Sequence, residues 1–234
     1  MILTAHQPVY LPWLGLFHKI SLADVYCVYD IVQYQTYDYN NRNKIKTSAG
    51  ELWLSVPVES KGHLEKRWCD LKITPNGWNK KHFKSIYYEY RRSEFFDRYI
   101  GGLEKILMGR AYEYLTDLNY DILVYLLECL GMKVSIVKAS DHSFRGTKSD
   151  LVLDMCVKLG AKKFIFGKLG RDYAKPETFR EKGIEIYFQD YRHPVYRQRH
   201  GQFAPYLSVI DLLFNEGPAS KGILLKDNVR REEI

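Results

Sequence analysis

The sequence predicts an α/β protein: a mostly parallel sheet flanked by helices, with a β-hairpin and a helical insertion. Three observations carry this expectation. Short apolar runs alternate with helix-period segments at both ends of the chain. The first 30 residues hold a strand, a short helix and a second strand, a compact βαβ unit that implies parallel pairing and a right-handed crossover. Between about 79 and 131, apolar residues recur at intervals of three and four, a helical period.

Each element follows from its local pattern. Ile2-Leu3-Thr4-Ala5 is a short apolar strand that ends at His6. Pro8 and Pro12 bracket a polar loop, and Pro12 suits the first turn of a helix running to about Ser21, with Phe17 and Ile20 on its apolar face. Val25 to Tyr29 is the second strand. Tyr34 to Asn43 is polar and aromatic with no helical period. Lys44-Ile45-Lys46-Thr47 and Leu52-Trp53-Leu54-Ser55-Val56 flank Ser48-Ala49-Gly50-Glu51 as a hairpin, and Pro57 ends it. Cys69 to Ile73 reads as a further short strand. The insertion divides into two or three helices, with Gly101-Gly102 and Gly109 as punctuation and Gly131 as the final cap. The βα alternation then resumes: Val134–Val137, a helix from Lys148 to Leu159 closed by Gly160, Phe164–Phe166, a helix from Pro176 to Lys182, and Ile184–Phe188. Leu207 to Phe214 is a buried helix, and the charged residues from about 226 to 234 read as a frayed tail. With no repeat or linker, residues 1–234 read as one domain.

Composition narrows the class. Hydrophobic residues are 46% and charged residues 27%, which suits a globular protein and not a disordered one. No apolar run approaches the roughly 18 residues of a membrane span, and the N-terminus lacks a secretory pattern, so the expectation is a cytoplasmic protein. Cys27, Cys69, Cys129 and Cys156 show no C-x-x-C spacing and read as packing residues. The net charge of +7 fits either a lysine-rich solvated surface or a cationic pocket for a phosphorylated ligand. Seven dispersed histidines argue against a metal, and P-loop, G-x-S-x-G and H-E-x-x-H signatures are absent.

The stretches His6-Gln7-Pro8-Val9-Tyr10-Leu11-Pro12-Trp13-Leu14-Gly15, Asn41-Arg42-Asn43-Lys44-Ile45-Lys46, Trp53 to Val58, Phe188 to Tyr196 and Leu212 to Gly217 resemble the WbqC-like family. The resemblance covers nearly the whole chain. It implies a bacterial or archaeal cytoplasmic protein of surface-polysaccharide and modified-sugar biosynthesis, without a settled catalytic assignment. One segment departs from the family pattern: Phe166-Gly167-Lys168 stands where a small Ser-Gly turn is usual, so Lys168 becomes the candidate phosphate contact. The first loop and the Gly167–Arg171 turn also look like nucleotidylyl-transferase-type folds, in which such positions contact a triphosphate. The second histidine of that motif is missing, with Leu14-Gly15-Leu16 in its stead.

In an open parallel sheet, ligands bind beyond the carboxyl ends of the strands. Polar clusters follow five expected strands there: His6, Asp30 to Gln33, Ser140 to His142, Gly167 to Arg171, and Gln189-Asp190. His6 is either a general base or a strand-end histidine bonded to backbone. Gln7 and Tyr10 orient a ligand, or Tyr10 packs on the helix. Asn41, Arg42, Asn43 and Lys46 form a donor set for phosphate or carboxylate, or simply a polar turn. His193 beside Asp190 is a second acid–base pair or a loop lock. Lys168, Arg171 and Gln189 complete the ligand set. The expected activity is transfer of an acyl or aminoacyl group to the amine of an amino-sugar nucleotide, with ATP or an acyl or aminoacyl carrier as the candidate co-reactant. The alternative is a non-catalytic module for nucleic acid or a carrier protein, built on Tyr87-Tyr88-Glu89-Tyr90-Arg91-Arg92.

Overall fold

A computed structural model of the protein describes residues 1–34, 39–59, 62 and 66–234. Its main sheet is assembled from strands whose residues are apolar on both faces. In β2 (Val25–Val28), Tyr26 and Val28 enter one core while Cys27 enters the other. This is the period of two expected of a strand covered on both sides. β1 (Ile2–His6), β6 (Lys163–Phe166), β5 (Ser135–Lys138) and β7 (Glu185–Phe188) pair with it in the order β5-β2-β1-β6-β7. Every pairing is parallel. All five carboxyl ends therefore lie along one edge, and the order reverses between β1 and β6.

Helices supply the crossovers. α1 (Leu14–Ser21) joins β1 to β2, α5 (Lys148–Leu159) joins β5 to β6, and α6 (Pro176–Glu181) joins β6 to β7. The connection from β2 to β5 is long. It holds the antiparallel hairpin β3 (Arg42–Thr47) and β4 (Gly50–Ser55), then α2 (Trp78–Tyr90), α3 (Phe96–Met108) and α4 (Leu115–Cys129). α7 (Val209–Glu216) and α8 (Ser220–Leu225) follow the sheet. The larger core joins the hairpin (Ile45, Leu54), the three inserted helices (Tyr90, Leu103, Leu126), α7 (Phe214) and α1 (Phe17). The smaller core packs α5 and α6 on the other face through Met155, Cys156 and Phe179.

The sequence-based expectations hold for the fold class and for most elements, and depart in five places. α1 begins at Leu14, because Trp13 is still extended and bridges Ser208. β3 begins at Arg42, two residues before the expected Lys44, which moves Asn43 into a strand and into the interior. Cys69–Ile73 is not a strand: Trp68–Asp70 forms a 3-10 turn, and only single bridges follow, Lys72 to Tyr114 and Ile73 to Val58. Gly101-Gly102 does not break a helix but lies within α3. A Cβ on Gly102 would collide with the Tyr125 ring, so glycine serves close packing of α3 on α4. Of the irregular stretch from Tyr34 to Asn43, residues 35–38 lie outside the described residues. The C-terminal segment, read from its charge as a frayed tail, makes definite contacts: Arg231 pairs with Asp24, and the Val229 carbonyl meets His18 Nε2 at 3.0 Å.

Candidate functional site

Parallel pairing sets the geometry of the site before any side chain is considered. His6 ends β1, Phe166 ends β6, and the chain leaves these neighbouring strands in opposite directions. The switch point of the sheet lies between them, with the loop 6–13 following β1 and the 3-10 turn Lys168–Asp172 following β6.

His6 is half-buried, and its Nδ1 lies 2.9 Å from the Gln7 carbonyl. A carbonyl can only accept, so Nδ1 carries the proton and the lone pair sits on Nε2. The Trp13 ring meets the imidazole edge-on at 5.4 Å. Burial pushes the His6 pKa down to about 3, the nearby Lys19 ammonium adds to the effect, and the Gln7 carbonyl opposes it. Lys19 is buried in α1 and donates to the Ala5 carbonyl at 2.9 Å. Its own pKa is pushed down by burial to about 7. A neutral imidazole and an ammonium that sheds its proton near neutrality thus stand side by side at the end of β1.

The loop that follows is held from beneath. Leu11 has a φ of 46°, a left-handed conformation that a branched side chain disfavours. Asn43, with no exposed surface, donates from Nδ2 to the Leu11 carbonyl at 2.6 Å, and its Oδ1 accepts from the Lys44 amide at 2.8 Å. Asn40 donates to the Pro8 carbonyl (2.8 Å) and to Gln7 Oε1 (3.2 Å), while its own carbonyl accepts from the Tyr10 amide at 3.1 Å. Tyr10 is wholly buried, with its hydroxyl 2.9 Å from His82 Nδ1. Tyr10 and Asn43 therefore shape the loop from the interior, and His6 and Gln7 are its half-buried polar members.

The remaining sequence-derived candidates divide between crevice and scaffold. Lys168 and Arg171 are exposed on the turn after β6, and the Arg171 guanidinium lies 4.7 Å from the Phe188 ring. Asn41 donates to the Val56 carbonyl at 2.9 Å, closing the open end of the hairpin. Lys46 is buried, with Nζ donating to Gln198 Oε1 at 3.0 Å and to the Gln202 carbonyl. Its amide donates to the Tyr90 hydroxyl at 2.9 Å, and Asp211 accepts from Tyr90 and Tyr196 at 2.8 and 2.9 Å. This buried network ties the hairpin to α7. Gln189 is also buried: Nε2 donates to the Gly15 carbonyl at 2.9 Å and lies 2.7 Å from His18 Nδ1, fastening β7 to α1. His193 receives the Tyr206 amide on Nε2 at 3.2 Å, which leaves Nδ1–H to donate to the Pro194 carbonyl at 2.8 Å. Both of its nitrogens are engaged in the loop by partners other than Asp190, which is exposed, so the expected acid–base pair is not formed.

Three features went unnoticed in the sequence. Lys19 sits among apolar neighbours in a helix that otherwise reads as core, and that mismatch is its only signal. Asn40 organises the loop through two backbone partners, Pro8 and Tyr10, and the Gln7 side chain. The third is a row of rings, His6, Trp13, Tyr39 and Trp53, with successive centroids 5.4, 5.5 and 5.5 Å apart. Arg42 caps the row with its guanidinium 4.7 Å from the Trp53 ring. The row runs from the end of β1 to the exposed face of the hairpin. Its members come from three separate segments, so no local pattern announces it. Among the described residues no group of three His, Cys, Asp or Glu side chains is placed to hold a metal ion. No described helix is long and apolar enough to cross a membrane.

Comparison with known proteins agrees with the motif reading. The model of the WbqC-like protein family matches residues 7–223. An uncharacterized protein of Mycobacterium tuberculosis, Rv1507c, is 31% identical over 212 residues, covering 90% of this chain and 92% of the relative. No solved structure matches. The chain belongs to the WbqC-like family.

Proposed function

We propose, with membership of the WbqC-like family as the premise, that this chain transfers an acyl or aminoacyl group to the amine of an amino-sugar nucleotide at the switch point. The observation that carries the reading is His6: a neutral imidazole at the end of β1, proton on Nδ1, lone pair on Nε2. In the step proposed, the amine nitrogen attacks the carbonyl carbon of an activated acyl donor. Nε2 takes the proton that the nitrogen sheds, the carbonyl–leaving-group bond breaks, and the leaving group departs with its electron pair to give an amide. An imidazole with a pKa near 3 is a weak base. A diphosphate bound beside it would raise that pKa, because an opposite charge favours the imidazolium. Lys168 and Arg171 are the exposed cations for such a diphosphate, and the ring row gives a base or sugar a surface to stack on. The polysaccharide setting implied by the sequence resemblance supports the choice of acceptor.

The test is direct. A uridine-diphosphate amino sugar with a free amine is offered with acetyl-coenzyme A in one arm, and with an amino acid plus ATP in the other. Amide formation is followed by mass spectrometry. Product in either arm, abolished in His6→Gln, is the expected result. If the sugar nucleotide at millimolar concentration neither raises the melting temperature nor yields product, the reading fails, since a specific ligand stabilises by mass action. One observation favours a second reading, a nucleic-acid or carrier-protein module: Tyr87 and Tyr88 are exposed on α2, with Lys84 and Arg91 close to the Tyr88 ring. Oligonucleotide binding with a steep salt slope would support that reading instead.

A further inference from the structure

A cavity lies beyond the ends of β2 and β5, and its lining includes none of His6, Lys168 and Arg171. It measures about 350 Å³ and is lined by Arg67, Cys69, Ser140, His142, Phe144 and Arg145, among others. That is near the lower end of the size range of small-molecule sites. Its charge is one-sided, since the lining includes two arginines and a histidine but no carboxylate. Two acids close to the lining, Asp30 and Asp70, are already engaged. Asp30 accepts from the Ser140 amide at 2.9 Å and from its hydroxyl at 2.7 Å. Asp70 accepts from Arg67 Nε and one Nη at 2.8 and 3.2 Å, which leaves the other guanidinium hydrogens of Arg67 available. His142 stacks on Phe144 with centroids 5.0 Å apart and an 18° tilt, forming a flat wall beside the cations.

We infer that this cavity is a separate anion site that takes the phosphate or diphosphate of a small ligand, held by Arg145, His142 and the free face of Arg67. Arg145 is the residue on which the inference turns. Its backbone amide donates to Asp154 Oδ2 at 2.7 Å, a contact that survives truncation of the side chain. Arg145→Ala therefore removes the guanidinium and leaves the loop anchored.

The experiment is isothermal titration of the full chain with inorganic pyrophosphate and with uridine diphosphate. Wild type is expected to bind pyrophosphate, with affinity falling at least ~10-fold in Arg145→Ala, as suits loss of a charged hydrogen-bond donor. His6→Ala is expected to bind it unchanged. Uridine diphosphate binding with the same Arg145 dependence would show that a nucleotide's diphosphate is accepted as well as the free ion. Pyrophosphate is also expected to slow iodoacetamide labelling of Cys69, read by peptide mass, because that thiol lines the cavity. Absence of pyrophosphate binding, or equal binding in Arg145→Ala, overturns the inference. Loss in His6→Ala with Arg145→Ala unaffected also overturns it, while leaving the transferase reading in place.

Discussion

At the scale of single residues, the interior explains more of this site than its surface does. Asn43 reads in the sequence as a donor in a polar turn, yet it is wholly buried and holds the left-handed Leu11. Local sequence could not show this, because the amide's partners lie in another loop and only tertiary packing makes them neighbours. Asn43→Ala is expected to strand two backbone groups at roughly 1–3 kcal/mol, lowering the melting temperature by several degrees. Thermal melts would check this, and an unchanged midpoint would return Asn43 to the list of ligand contacts. Lys19 gives a second expectation, with a pH signature. Its folded pKa of about 7 lies below the ordinary 10.5, so the folded state holds fewer protons than the unfolded state between those values. The penalty is fully present below about pH 7 and fades as pH rises toward 10.5. Lys19→Met is expected to melt above wild type at pH 6, with the gap closing by pH 10. If wild type is the more stable at pH 6, the bond to the Ala5 carbonyl outweighs desolvation.

At the scale of elements, periodicity located nearly every strand and helix, because both faces of the sheet are covered and each helix buries an apolar stripe. The failures share a cause. Gly101-Gly102 reads as punctuation because glycine is a poor helix former, but one of the pair is there for closeness. A Cβ on Gly102 would collide with the Tyr125 ring, whereas one on Gly101 would meet nothing within 4 Å. The two positions should therefore respond with opposite signs. Gly101→Ala is expected to stabilise by about 0.5–1 kcal/mol through helix propensity. Gly102→Ala is expected to destabilise by about 1–3 kcal/mol through overpacking. Urea titrations of the two variants decide it, and equal effects would mean that α3 and α4 do not pack as described. The expected strand at Cys69–Ile73 failed for a related reason: apolar residues were visible, but no partner strand was.

At the scale of the whole molecule, five parallel strands bring polar residues from distant parts of the chain to one edge, and this much was legible. Which of them face a ligand was not, because burial is decided by the hairpin, the inserted helices and the loop before α7. The same burial gives the protein a collective response to acid. Four histidines have pKa values lowered chiefly by desolvation: His6 to about 3, His82 to about 4, and His18 and His193 in the same direction. In the unfolded chain each titrates near 6.5. Between that value and the folded ones, the unfolded state binds more protons, so stability falls as pH falls. The stabilisation is whole above about pH 6.5 and is lost progressively toward 4 and 3. Asp30 and Asp211 act in the opposite sense, since burial raises their pKa values and protonating them favours the folded state. These two carboxyls soften the loss that the four histidines begin near 6.5. The urea midpoint is thus expected to drop steadily as pH falls below about 6.5. His82→Asn should make the drop shallower, since an amide can still meet the Tyr10 hydroxyl and has no proton to gain. A midpoint that held constant from pH 7 to pH 4.5 would mean these imidazoles are far better solvated than their burial implies.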